Sequence, residues 1–368
     1  MKWLRRPLAI IALTLAGGAL LAGFSGLFST VNPYYDPSKA HHRPDGFQNV
    51  DPQARMPRSF GDFFRWQSER ASLEIPAPKL DLSALVPDLG FIRGRSNHFS
   101  VTWIGHATAL VQIGHVNVLT DPQFSDRASP VQWMGPKRWQ PPAVRLEELP
   151  HIDVVLISHN HYDHLDEDSV QRLNAQQGGP PLFVVPLGVE RWLEGVGVSN
   201  TRALDWWDSL QVGDVTVHLT PVQHWSRRTL ADANTTLWGG FVVEGESRGK
   251  ARRVFFSGDT GYSREHFTEI GRRFGGFDVA LLPIGAYEPR WFMSAQHVNP
   301  EEAVRIHRDL HARLSIGIHW GTFQLTDEPL DQAVTDLAAA REKLGVGSRE
   351  FVTLRHGQTL RLDPFDKP

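Results

Sequence analysis

The chain has no cysteine among its 368 residues. That absence excludes disulfides, thiolate metal sites and cysteine nucleophiles. It leaves nitrogen and oxygen donors as the only route to a transition-metal site. A surplus of one charge is also missing. The 38 lysines and arginines nearly balance 41 aspartates and glutamates, for a formal net charge of −3. Such a balance lacks the basic footprint of an electrostatic nucleic-acid binder. No repeat of fixed short period and no low-complexity tract interrupts the chain. What is present is apolar surface: 41% of residues are hydrophobic, enough for a sizeable core and too many for wholesale disorder. Histidine (17) and tryptophan (12) stand out.

The N-terminus reads as a separate object. Lys2, Arg5 and Arg6 precede an uncharged run from Leu8 to Phe28. A helix of that length reaches across roughly the 30 Å of a bilayer core. Leading cations favour an N-terminus that stays in the cytoplasm. Residues 1–30 are therefore expected to be a membrane anchor or a signal peptide, giving a membrane-associated or exported protein on the periplasmic side of a bacterial envelope. Residues 31–97, rich in Pro, Arg and aromatics, read as a lead-in packed on the main domain, with one helix near GDFFRWQSERA. His41 and His42 fall in this stretch and read as solvated loop residues.

From His98 to the C-terminus the pattern is that of a folded domain. Short apolar runs such as FSVTWIG, ALVQIG, IDVVLIS, LFVVP, VTVHLTP, ARRVFFSGD, FDVALLPIG and RLSIGIHWG predict strands buried on at least one face. Helical patterns enter late, in SREHFTEIGRRF, PEEAVRIHRDLHA and LDQAVTDLAAAREKL. Asn299 is placed as an N-cap, followed by Pro300 and two acids. A single parallel sheet needs a helix after each strand, and several are missing. The order fits an α+β two-sheet sandwich flanked by helices.

Polar residues cluster where these strands end. IDVVLIS runs into HNHYDH, and His224, Asp259 and His319 follow three later strands. His159 and His161, two apart in extended chain, point the same way and can share one cation. Asp163 and His164, past the turn, can address a second. His224, Asp259 and His319 would complete the shells, with Asp259 in SGDTG the best bridging carboxylate. Crowded carboxylates and imidazoles repel unless cations sit among them.

HxHxDH, SGDTG and IHWG in this order resemble the metallo-β-lactamase-fold hydrolases. AYEPRWFM and QHVNPEEA narrow the likeness to the N-acylphosphatidylethanolamine-hydrolysing phospholipase D group. The resemblance implies an αββα four-layer sandwich with two zinc ions at one edge. It implies that His159, His161 and His224 hold one ion, that Asp163, His164 and His319 hold the other, and that Asp259 bridges. It places Gln296 and His297 near the substrate. Asp163, Asp259 and His297 are then the expected catalytic residues of a phosphodiesterase in which a metal-bound hydroxide attacks phosphorus, on a phospholipid at a membrane surface. A lactonase or small-molecule phosphodiesterase on the same scaffold, and a non-catalytic envelope lipid-binding protein, are the alternatives. His106 reads as a supporting hydrogen-bond partner or a packing residue. Arg227 and Arg228 read as charge for an anionic head group or as a solvated face. Trp206, Trp207 and Trp225 read as core or as a lipid-facing rim.

Overall fold

The computed structural model describes residues 31–54, 59–94 and 97–363. In the run Ala109–Ile113 alternate side chains leave on opposite faces, as the two-residue period of a strand requires. Ala109, Val111 and Ile113 enter one apolar cluster and Leu110 enters another. The same split separates Val118 from Leu119, Val154 and Leu156 from Val155, and Val184 from Phe183 and Val185. Burial on both faces is why these strands read as unbroken apolar runs.

A small hairpin in the lead-in pairs β1 (His42–Arg43) with β2 (Gly46–Phe47). The first large sheet takes β3 (His98–Gly105), β4 (Thr108–Gly114), β5 (Val116–Thr120), β6 (Val154–Leu156), β7 (Leu182–Pro186) and β8 (Thr201–Leu204). The second takes β9 (Ser209–Val212), β10 (Val215–Thr220), β11 (Gly240–Ser247), β12 (Lys250–Phe256), β13 (Phe277–Pro283), β14 (Ala312–Ile318) and β15 (Phe351–Thr353). Finally β16 (Thr359–Arg361) returns to β3. The orders are β16-β3-β4-β5-β6-β7-β8 and β15-β14-β13-β12-β11-β10-β9. Pairing is antiparallel from β16 through β5 and parallel from β5 to β8. The second sheet repeats this, antiparallel from β9 to β12 and parallel from β12 to β15.

The sheets meet face to face through β4 and β11. Helices Glu167–Asn174 and Val189–Gly195 close the outer face of the first sheet with Val170, Leu173, Val189 and Leu193. Arg264–Phe274, Pro300–Asp309 and Gln332–Leu344 cover the second with Phe267, Ile270, Val304, Ile306 and Leu337. The result is an α+β metallo-β-lactamase fold. Asn299 caps its helix as expected, accepting from Glu302 N while the Glu302 carboxylate accepts from Asn299 N.

The lead-in helix spans Phe60–Arg70, and Trp66 donates to Asp327 Oδ2 at 3.0 Å. His41 and His42 differ from expectation: both are buried, not solvated. Their Nε2 atoms lie 2.7 and 2.9 Å from the Asp205 carboxylate, which also accepts from Lys39 Nζ at 2.5 Å. A buried carboxylate needs such donors, and the lead-in supplies them. The apolar run Leu8–Phe28 lies outside the described residues. Among the described residues no helix is long and apolar enough to cross a membrane.

Candidate metal centre

β3, β5 and β6 all end at one edge of the first sheet, and β10, β12 and β14 end facing them. After β6 the chain runs on without regular structure to a bend at His161, then turns, with the amides of His164 and Leu165 bonding back to His161 O. This turn swings Asp163 and His164 towards the second sheet before Asp166 caps the next helix. After β12, Gly258 takes φ 58°, and a Cβ there would stand 2.4 Å from Ser158 Cβ. Only glycine lets the SGDTG turn come this close. His319 N donates to His106 O at 2.9 Å, tying the two sheet ends together.

All seven expected ligand residues converge here. His161 Nδ1 lies 2.8 Å from His159 Nε2 and 3.3 Å from His224 Nε2. In a second group, His164 Nε2 lies 3.2 Å from His319 Nε2 and 3.4 Å from Asp163 Oδ2, and His319 Nε2 is 3.3 Å from the same oxygen. Two donors on one tetrahedral cation with bonds of about 2.0–2.1 Å sit about 3.3 Å apart. Asp259 straddles the groups. Its Oδ2 is 3.0 Å from His164 Nε2 and 4.0 Å from His224 Nε2, and its Oδ1 is 3.2 Å from His319 Nε2. Neither Asp259 oxygen has a well-formed hydrogen bond, although the residue is buried. Buried carboxylate oxygens without a well-formed partner, packed against several imidazole nitrogens, are a donor set that suits a divalent cation.

Three residues that sequence reasoning missed, Asp121, Ser158 and Asn49, orient the ligands. Asp121 Oδ2 lies 2.6 Å from His164 Nδ1 and accepts from Ser158 Oγ at 2.6 Å. Ser158 Oγ lies 2.9 Å from His159 Nδ1. A carboxylate only accepts, so His164 Nδ1–H donates to it and the single Ser158 hydroxyl proton goes to it as well. Ser158 Oγ is then free to accept from His159 Nδ1–H. In their neutral forms both histidines thus turn Nε2, without its proton, towards the centre. Asp121 ends a strand just as the recognised ligands do, and that signal was available. Asn49 offered no such signal. Its side chain accepts from His224 N at 3.1 Å and donates to His224 O at 2.8 Å, across 175 positions of sequence.

Charge is distributed to suit cations. Burial opposes a charge on His164 and His319, but the carboxylates of Asp259 and Asp163 outweigh it; His164 rises well above the ordinary imidazole value and His319 to about 9. Burial pushes His159 and His224 well below that value and His161 down to about 4. Burial also opposes ionisation of Asp163 and Asp259, yet the facing imidazoles hold both well below the usual carboxylate range. Ionised carboxylates beside the neutral imidazoles of His159, His161 and His224 match what metal ligation requires, while His164 and His319 hold protons that a bound cation would displace.

The remaining candidates separate. His106 Nε2 lies 3.0 Å from Asp163 Oδ2, so it supports that carboxylate through a hydrogen bond. His297 comes to the centre, with Nδ1 3.8 Å from Asp259 Oδ2. Gln296 approaches through its backbone, whose carbonyl lies 2.9 Å from His224 Nδ1. Arg228 is neither solvated nor free for a head group. It lies between Tyr162 and Trp192 and donates to Asn160 O and Leu165 O, bracing the HNHYDHL turn. Arg227 Nε donates to Thr229 O. Trp206 is core, with its Nε1 bonded to Trp238 O, while Trp225 packs against the His161 ring.

Comparison with known proteins agrees with this geometry. Residues 116–320 match the family profile described as a β-lactamase superfamily domain. The chain is 44% identical over 271 residues to N-acyl-phosphatidylethanolamine-hydrolyzing phospholipase D 1 of Caenorhabditis elegans, covering 70% of this chain and 74% of that one. It is 42% identical over 310 residues to an uncharacterized protein of Mycobacterium tuberculosis, covering 82% and 80%. Among solved structures, the diiron β-hydroxylase CmlA of Streptomyces venezuelae superposes with a TM-score of 0.55 at 20% identity, over 72% of this chain and 54% of that one, a likeness of fold alone. The strand-end ligand set, the paired mixed sheets and these identities together show that the chain belongs to the metallo-hydrolases of the β-lactamase superfamily and is similar to their N-acylphosphatidylethanolamine-hydrolysing phospholipase D group.

Proposed function

We propose that this protein is a phospholipase D-type phosphodiesterase acting on N-acylphosphatidylethanolamine or a related glycerophospholipid. The likeness to the C. elegans enzyme carries the choice of substrate. His159, His161 and His224 would hold one divalent cation, and Asp163, His164 and His319 a second, with Asp259 between them. Zinc suits these nitrogen and oxygen donors. Such a pair supplies, when bound, positive charge for phosphate oxygens and a water acidic enough to ionise near neutral pH.

The chain's own groups prepare that chemistry. Asp121 and Ser158 fix the Nδ1–H of His164 and His159, so that it is Nε2 each ring would offer a cation. His106 holds Asp163 by a hydrogen bond to Oδ2. His297 stands beside Asp259 with its Nδ1 unpartnered; burial pushes its imidazole down to about 4, so it would act neutral, accepting the proton of the attacking water and passing it to the leaving alkoxide. Gln296 is fixed beside it and would orient the phosphate. The cationic start and uncharged run of residues 1–30 support a place at a bacterial envelope membrane.

The test is a side-by-side assay of the purified, metal-analysed protein on N-acylphosphatidylethanolamine, a water-soluble phosphodiester and a lactone. Release of phosphatidic acid from the lipid is the expected result. Turnover confined to the lactone would remove the phospholipase reading. His159→Ala is expected to lose metal and activity together.

A further inference from the structure

Among the described residues, the lead-in exposes Val31, Tyr35, Phe63, Phe64, Leu73, Leu80 and Val86, and the main domain exposes fewer large apolar side chains. Among the described residues after Asn97, the large hydrophobic side chains left exposed are Trp133, Met134, Trp139 and Leu230. The first three follow β5 and the last follows β10, and both strands end at the metal edge. Trp133 is 76% exposed and Met134 57%.

The segment carrying them is built to present them. Residues 125–138 form a hairpin in which Arg127 pairs with Lys137, Ala128 N donates to Pro136 O at 3.0 Å and Arg138 N donates to Asp126 O at 2.9 Å. At the tip, Arg127 Nε donates to Gln132 O at 3.1 Å and Nη1 donates to Gly135 O at 2.5 Å. Trp133 and Met134 sit between those two carbonyls. The stem is anchored to the centre. Arg138 pairs with Phe323, whose ring packs 5.1 Å from that of His106, and Trp139 N donates to Thr322 O at 2.7 Å. Leu230 is held similarly, on a turn closed by Asp232 Oδ1 accepting from the Arg228 and Thr229 amides.

We propose that Trp133 and Met134, with Trp139 at the foot of the same hairpin, form a docking surface for a lipid bilayer and set the metal edge against the head groups. The inference rests on the lipid-substrate reading for its purpose. An apolar tip with an indole and with exposed Lys137 on its stem matches the interfacial zone, where indole rings and lysine side chains settle with one apolar and one polar part. Asp126 is the one exposed acid on this hairpin, at its base and away from the tip.

The absence of cysteine makes a site-specific test direct. Full-length protein carrying Met134→Cys, or as a control Asp214→Cys at the exposed β9–β10 turn on the opposite edge, takes a single nitroxide label. On vesicles of phosphatidylcholine and phosphatidylglycerol, the label at 134 is expected to become accessible to oxygen and shielded from aqueous relaxants, while that at 214 stays aqueous. A label at 134 that stays aqueous while the protein sediments with vesicles overturns the proposal. Equal shielding without vesicles marks a protein–protein contact and overturns it too. In parallel, Trp133→Ser/Met134→Ser is expected to lower hydrolysis of vesicle phospholipid by at least about tenfold, with a soluble phosphodiester unaffected. Unchanged vesicle hydrolysis refutes the role. If the label inserts but wild-type protein cleaves no phospholipid, the docking surface stands and the substrate reading fails.

Discussion

Replacing Asp121 with asparagine tests how the ligand nitrogens are kept available. Asp121 Oδ2 receives His164 Nδ1–H directly and His159 Nδ1–H through the Ser158 hydroxyl. Its Oδ1 accepts from Ser158 N at 2.7 Å, and an asparagine oxygen would keep that bond. The asparagine NH2 would then face His164 Nδ1 and Ser158 Oγ as a donor. Donation into His164 Nδ1 moves that ring's proton to Nε2, the atom 3.0 Å from Asp259 Oδ2. The ligand lone pair is thereby occupied. Outer partners of this kind are worth about 10–100-fold in metal affinity, or about 1.4–2.8 kcal/mol. Asp121→Asn should therefore weaken both cation sites by that range in competition titrations with a chelator. Ser158→Ala interrupts only the branch to His159 and should weaken only one. Equal affinities for wild type and Asp121→Asn, or loss of both sites in Ser158→Ala, would refute the relay.

Three further outcomes are expected. Asn49→Leu strips the His224 amide and carbonyl of their buried partners, at a cost of about 1–3 kcal/mol for each group left unpaired; urea melts should show it, and chelator titration should show weakening of the site built on His224. Asp205→Ala removes the acceptor of Lys39, His41, His42 and Trp206 N, and breaking such a buried cluster costs about 3–5 kcal/mol; the denaturation midpoint should fall while turnover of a soluble phosphodiester per metal-loaded molecule holds. His356, stacked on Trp103 with Nε2 2.8 Å from Thr322 Oγ1, is pushed down to about 3 by burial. The unfolded chain binds this proton below pH 6.5 and the folded chain does not, so stability falls with pH between about 6.5 and 3. From pH 7 to 5 the wild type should lose about 2 kcal/mol more than His356→Phe in urea melts.

Much of the centre was readable because its residues follow strands whose apolar runs announce themselves. HNHYDH after IDVVLIS and Asp259 after RRVFF gave their positions without coordinates. Asp121 after VNVLT obeys the same rule but lies outside the histidine motif, so its chemistry did not stand out. Asn49 was invisible in principle: a lone amide in a loop says nothing about a backbone 175 positions away. His41 and His42 misled because flanking Pro and Gly suggest an open loop, whereas Asp205 draws both rings inward. Arg228 misled in the same way, since an Arg pair after a ligand suggests solvent and not a ring-sandwiched brace. The helix Glu167–Asn174 went unread although Asp166 caps it and two acids open it.

The account stands on a pair of cations at the edge where both sheets end. A crystal of the zinc-loaded protein, measured on both sides of the zinc absorption edge, tests it most directly. Two anomalous peaks are predicted, one among His159, His161 and His224 and one among Asp163, His164 and His319, with Asp259 reaching both. No peak among these seven side chains, or a peak only beside Asp205, His41 and His42, would contradict it.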